Sequence, residues 1–122
     1  ERTYDFICGN PPYGPVVDDT PMAEHFVRHA WRLLAGGGRI LFLLRLAFMA
    51  SVDRYAGLWS ELPPTVVAVC STRPSFGVNK HGRKGTQNIE YALFVWDKQP
   101  DGDPAGEPRQ WPVELLPPYE RE

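Results

Sequence analysis

The chain has 122 residues, of which 43% are hydrophobic and 23% charged, and it carries a formal charge of −2. That is enough for one domain with a real core, since a chain this size buries roughly two-thirds of the surface that it exposes when unfolded. The balance excludes a global polycation, so any contact with nucleic acid has to rest on a local cluster of basic side chains.

Tyr4 to Gly9 is a short apolar run that reads as a buried strand, ended by Gly9 and the pair Pro11–Pro12, which cannot continue a ladder. Thr20 and Pro21 form a helix start, a hydroxyl N-cap followed by proline at the first helical position. Met22, Phe26, Ala30, Leu33 and Leu34 then recur at helical spacing as the inner stripe, with Val27 and Trp31 widening it and Glu24, Arg28 and Arg32 facing out. The helix is expected to end near Ala35, with Gly36, Gly37 and Gly38 as a left-handed cap.

Arg39 to Leu44 is apolar without alternation, which fits a strand covered on both faces, as in a parallel sheet. Ala47 to Leu62 reads as a second helix with Ser51 as a possible cap, stopped by Pro63 and Pro64. Thr65 to Thr72 and Ile89 to Trp96 read as third and fourth strands. With no helical pattern between them, an antiparallel hairpin is the simplest pairing. The intervening segment, Arg73 to Asn88, holds Arg73, Lys80, His81, Arg83 and Lys84 and no acid. From Gln99 onward the chain turns to Pro, Gly and acidic residues, so 99–122 reads as a poorly folded tail or linker and 1–98 as the folded part.

The expected fold class is therefore α/β and doubly wound, with parallel strands, helices between them, and an antiparallel hairpin at the edge. Sheets of this kind bind ligands outside the C-terminal ends of their strands. Cys8 and Cys70 lie in apolar runs and are expected to be small buried hydrophobes, not a disulfide. The longest apolar stretch, Ile40 to Ala50, is broken by Arg45 and is too short to span a membrane; with no signal pattern, a soluble cytoplasmic protein is expected. His25 and His29 stand four apart on the predicted helix but lack further ligands, so they are read as surface residues and no metal is expected.

The loop after the first strand has a distinct hydrogen-bonding character. Asn10 offers a side-chain carbonyl, and Pro11 has a backbone carbonyl but no N–H, so two acceptors converge on a stiff segment that Pro12 keeps rigid. An exocyclic amine on a planar ring has the two donors to match, and Tyr13 supplies a face for stacking worth ~1–3 kcal/mol for a nucleobase. Acceptors that pull on both hydrogens favour a pyramidal nitrogen with an available lone pair. The arrangement suits direct transfer of a methyl group by positioning, without a covalent intermediate. A plain strand-to-turn transition is the structural alternative.

"DFICGNPPYG", Asp5 to Gly14, resembles the catalytic motif of S-adenosylmethionine-dependent amino-methyltransferases, above all the DNA adenine methyltransferases. "LLAGGGRILFLL" and "RPSF" with the basic loop and "IEYALFVWDK" are similar to later segments of phage-type enzymes, so the likeness spans about Tyr4 to Lys98. The resemblance implies a Rossmann-like methyltransferase sheet and S-adenosylmethionine as donor. It also implies that Asn10 and Pro11 hold the target amine while Tyr13 stacks on the flipped base. It places Phe76 where a second aromatic often covers the base, and a core phenylalanine is the other reading. Arg73, Lys80, Arg83 and Lys84 would offset the cost of base extrusion through phosphate contacts, the alternative being a solvated loop.

The Gly-rich turn and following acid by which the family grips its donor are not seen, because "GGGR" follows a helix instead of a strand. With no initiator Met, the chain is expected to be a catalytic piece of a longer protein, with the N-terminal part of the methyltransferase domain and DNA as its partners. Cytosine, RNA and protein glutamine remain alternative targets, and a non-catalytic nucleic-acid-binding remnant is the reading from another class.

Overall fold

A computed structural model describes residues 2–72 and 89–118. Strand β1 (Tyr4–Gly9) is followed by a two-residue hairpin, β2 (Val16–Val17) and β3 (Thr20–Pro21), then helix α1 (Met22–Leu33) and the long strand β4 (Leu34–Arg45). A 3₁₀ turn at Leu46–Met49 leads into two short helices, α2 (Val52–Ala56) and α3 (Leu58–Glu61), then β5 (Val66–Cys70), β6 (Tyr91–Asp97) and β7 (Val113–Leu116). The main sheet has five strands in the order β1-β4-β6-β5-β7. β1 runs parallel to β4, β6 is antiparallel to both β4 and β5, and β7 is parallel to β5. The chain is thus α/β, with the β5–β6 hairpin in place and β7 added outside it.

The core lies on one face of this sheet. Ile40, Phe42 and Leu44 of β4 are opposite Trp96, Phe94 and Ala92 of β6. They cluster with Ala23, Val27 and Ala30 of α1 and with Phe48, Leu58 and Trp59. Phe94 stacks between Trp59 and Trp96, at 6.2 and 5.9 Å between ring centres. Burying each such side chain contributes ~1.5–3 kcal/mol. Helices α1 and α3 pack on this face. The other face carries Phe6 and Cys8 on β1, Leu41 and Leu43 on β4, and Leu93 and Val95 on β6. Leu41, Leu43 and Leu93 are only half-buried there, so the unalternating run at Arg39 to Leu44 is covered by helices on one side among the described residues.

Several local expectations are corrected. Among the described residues β1 has one neighbour, β4, and is an exposed edge rather than a buried strand, with Tyr4 at 44% and Phe6 at 56% exposure. Cys8 is exposed for the same reason, and Cys70 is half-buried; both are free thiols. Thr20 does not cap α1, because pairing with Val17 holds it extended and its hydroxyl donates to the Asp18 carbonyl at 3.3 Å. On α1, Ala23, Val27 and Ala30 form the buried stripe, while Phe26 is turned out to 43% exposure.

The triglycine is not a helix cap. α1 passes straight into extended backbone at Leu34. Gly36 to Gly38 instead bulge β4, because Tyr4 pairs with Leu34 while Phe6 already pairs with Arg39. A Cβ on Gly38 would stand 2.9 Å from the Asp5 carbonyl oxygen, so only glycine lets the two backbones approach. The last turn of α1 is closed by Lys98, whose ammonium donates to the Trp31 and Leu34 carbonyls at 2.7 and 2.8 Å. The single helix expected over Ala47 to Leu62 is broken. Ala50 is extended, Ser51 opens α2 by accepting from the Arg54 N–H at 3.3 Å, and Gly57 separates α2 from α3.

The stretch from Gln99 to Leu116 is not a loose tail. Trp111 packs on Trp59 at 5.2 Å, Arg109 lies over the Tyr55 ring at 4.6 Å, and β7 completes the sheet beside β5. Composition misled because Pro and Gly serve close packing here: Gly106 abuts the Pro64 carbonyl so tightly that a Cβ would come within 2.1 Å of its oxygen. No helix among the described residues is long and apolar enough to cross a membrane.

Candidate active site

Because β5 runs alongside β4 with β6 antiparallel between them, one end of the sheet gathers Gly9 of β1, Arg45 of β4, Cys70 of β5 and Tyr91 of β6. The segment Asn10 to Tyr13 leaves from that end. Asn10 is exposed, Pro11 is buried and Tyr13 is half-buried, so the proline anchors the loop while the amide faces solvent. Asn10, Pro11 and Pro12 form one rim of an apolar cavity of about 320 Å³, walled by Phe42 and by Phe26 and Ala30 of α1.

Tyr13 is held from several sides. Its carbonyl accepts from the Met22 N–H at 2.9 Å, tying the loop to the start of α1. Its hydroxyl donates to the Arg45 carbonyl at 3.1 Å. The ring meets Phe48 edge-on at 5.9 Å, and the Arg45 guanidinium lies 4.7 Å from the ring centre. Burial pushes the phenol up to about 12, against the opposing pull of the Arg45 backbone and of the positive charge of Arg45 and Arg54. Tyr13 is therefore neutral at ordinary pH and serves as a fixed ring, not as a base.

Arg54 supports this arrangement from below. Its guanidinium donates to the Phe48 carbonyl at 2.7 Å and covers the Phe48 ring at 4.4 Å, and burial lowers its pKa. Phe48 in turn meets Trp59 and Phe94 edge-on at 5.6 and 6.0 Å, so the Tyr13 ring is continuous with the aromatic core.

The sequence-predicted residues Asn10, Pro11, Pro12 and Tyr13 are thus together at the expected strand tip. Phe76, Arg73, Lys80, Arg83 and Lys84 lie outside the described residues. His25 is engaged by the Val17 carbonyl at 3.0 Å and His29 by Arg32 at 2.9 Å. Among the described residues no group of three or more His, Cys, Asp or Glu is placed to hold a metal. Sequence reading missed Arg45 and Phe26. The signal for Arg45 was its position as the lone charge within an apolar run. Phe26 gave none, since it fits the helical stripe.

No protein-family profile and no curated protein matches the chain. Among solved structures, it is similar to a Listeria monocytogenes protein provisionally assigned as a class I S-adenosylmethionine-dependent methyltransferase. The TM-score is 0.65 at 13% identity, covering 95% of this chain and 38% of that one. The chain therefore spans well under half the length of that protein. The donor is not matched by the residues described. The turn after β1 is Asn-Pro-Pro, whose prolines remove the N–H groups that an anionic carboxylate would need, and the triglycine lies at the opposite end of β4. What the likeness establishes is the fold, that of a class I methyltransferase sheet.

Proposed function

We propose that this chain is the acceptor-side half of an S-adenosylmethionine-dependent methyltransferase acting on the exocyclic amine of adenine in DNA. The observation that carries the reading is the Asn10–Tyr13 loop: an exposed amide, a buried proline and a clamped neutral aromatic ring at the tip of a parallel strand in this fold. The Asn10 side-chain carbonyl and the Pro11 carbonyl each accept one hydrogen of the amine, which withdraws the lone pair from the ring and leaves it free to attack. The Tyr13 ring holds the base in one plane. Its hydroxyl, already committed to Arg45, takes no proton. Most of the rate then comes from orientation.

The donor is held by a partner element, the remaining N-terminal part of the methyltransferase domain. Two features support this. Among the described residues β1 offers an unpaired edge beside Gly9 and Asn10, and the second face of the sheet is apolar yet free of the described helices. An apolar sheet face and an open edge of this kind are normally covered. The deciding experiment is methyl transfer to unmethylated duplex DNA by the full-length gene product containing residues 1–122. Asn10→Ala should lower kcat at least ~10²-fold, the scale seen when one transition-state hydrogen-bonding group is removed. An active Asn10→Ala enzyme would refute the assigned role.

A further inference from the structure

Four other arginines of the described residues have N–H groups engaged. Arg28 donates to Glu24 and Glu61, Arg39 to Asp97, Arg54 to the Phe48 carbonyl and Arg109 to the Tyr55 carbonyl. Arg45 differs. It ends β4 at the site end of the sheet, is exposed, and contributes its backbone carbonyl to Tyr13. Its guanidinium rests on the Tyr13 ring at 4.7 Å and donates to no acceptor among the described residues.

The same side chain forms the rim of a second cavity, about 630 Å³, bounded by Ala47 and Met49 on one side and by Ile89 and Glu90 on the other. A planar cation already seated on an aromatic face has lost much of its freedom, and its fork of N–H donors matches two phosphate oxygens. A nucleotide whose base lies against Tyr13 carries its phosphate only one sugar away.

We propose that Arg45 is a nucleic-acid-binding residue that grips a backbone phosphate of the nucleotide presented to Asn10, while its guanidinium keeps the Tyr13 ring in register. The assignment rests on the nucleic-acid reading of the site, and it adds a contact on a regular strand, separate from the basic loop. Arg45 is a substrate contact at the phosphate, away from the reacting amine.

The test is binding of an unmethylated duplex oligonucleotide across a range of salt, using the full-length gene product as wild type, Arg45→Ala and Arg45→Lys. Loss of one phosphate contact should flatten the slope of log K against log salt by about 0.9. Arg45→Lys should restore the slope with only part of the affinity, because an ammonium keeps the charge but not the fork. Replacing single phosphates around the target adenine with neutral methylphosphonates should weaken the wild type at one position and leave Arg45→Ala indifferent there. An unchanged slope in a folded Arg45→Ala protein overturns the inference. Should that variant fail to fold, a wild type indifferent to every methylphosphonate near the target overturns it equally. The methyltransferase reading fails separately, if the wild type binds duplex without methylating it; the salt slope still decides Arg45. A wild type that does not bind nucleic acid removes both.

Discussion

Removing the Tyr13 ring tests the site without touching the amine acceptors. Tyr13→Ala deletes the stacking face, which is worth ~1–3 kcal/mol per base, so kcat/KM for duplex methylation should fall about 5- to 150-fold. Tyr13→Phe keeps the ring, its edge contact with Phe48 at 5.9 Å and the guanidinium of Arg45 at 4.7 Å. It loses only the hydroxyl's bond to the Arg45 carbonyl, a loss of about 1 kcal/mol in folding stability. Methylation by Tyr13→Phe should therefore stay within about threefold of wild type, since 1 kcal/mol or less at the ring is felt mainly in folding. Tritium incorporation into a duplex oligonucleotide, with denaturant melts run in parallel, separates the two effects.

The phenol adds a pH signature. Its folded pKa, pushed up to about 12, lies above the unfolded value of 10.0, so between them the unfolded chain releases the proton first. This contribution to stability is complete below pH 10 and disappears as pH rises to about 12. Tyr13→Phe should remove that step from the difference between the two stability profiles. A Tyr13→Ala enzyme as active as wild type would end the stacking role. A Tyr13→Phe enzyme as impaired as Tyr13→Ala would show that the hydroxyl, not the face, is what the reaction uses.

Two further outcomes are expected. Trp111→Ala should destabilise the chain by roughly 2 kcal/mol in urea melts, below the ~3–5 kcal/mol of a fully buried tryptophan, because Trp111 is half-buried against Trp59; a negligible effect would return residues 99–118 to the status of a tail. Calorimetric titration of residues 1–122 with S-adenosylmethionine should show weak binding or none, and low-micromolar affinity would contradict the division into donor and acceptor halves.

How far the site was legible depends on how local its chemistry is. Asn10, Pro11, Pro12 and Tyr13 are consecutive, and their meaning comes from donors and acceptors that each residue carries wherever it folds. The clamp on Tyr13 is built from Arg45, Phe48 and Arg54, some thirty to forty residues away, and nothing in their spacing announces that they converge. Phe26 obeyed the helical stripe and still faces outward, since the small residues Ala23, Val27 and Ala30 let α1 sit close to β4 on a neighbouring face.

By itself the amino-acid order determined the α/β class, the strand-helix-strand unit around α1, the β5–β6 pairing, and the place of the tip loop at the end of β1. Hydrophobic period, glycine and proline placement and side-chain donors are properties of short stretches, so they survive being read one window at a time. Folding alone made Tyr4–Gly9 an edge, turned Gly36–Gly38 from a cap into a bulge, set Trp111 on Trp59 and drew Val113–Leu116 into the sheet. Each of those depends on which distant backbone lies alongside: Asp5 against Gly38, Pro64 against Gly106, β5 against β7. Neighbours of that kind are chosen by the packing of the whole chain, which no local pattern contains.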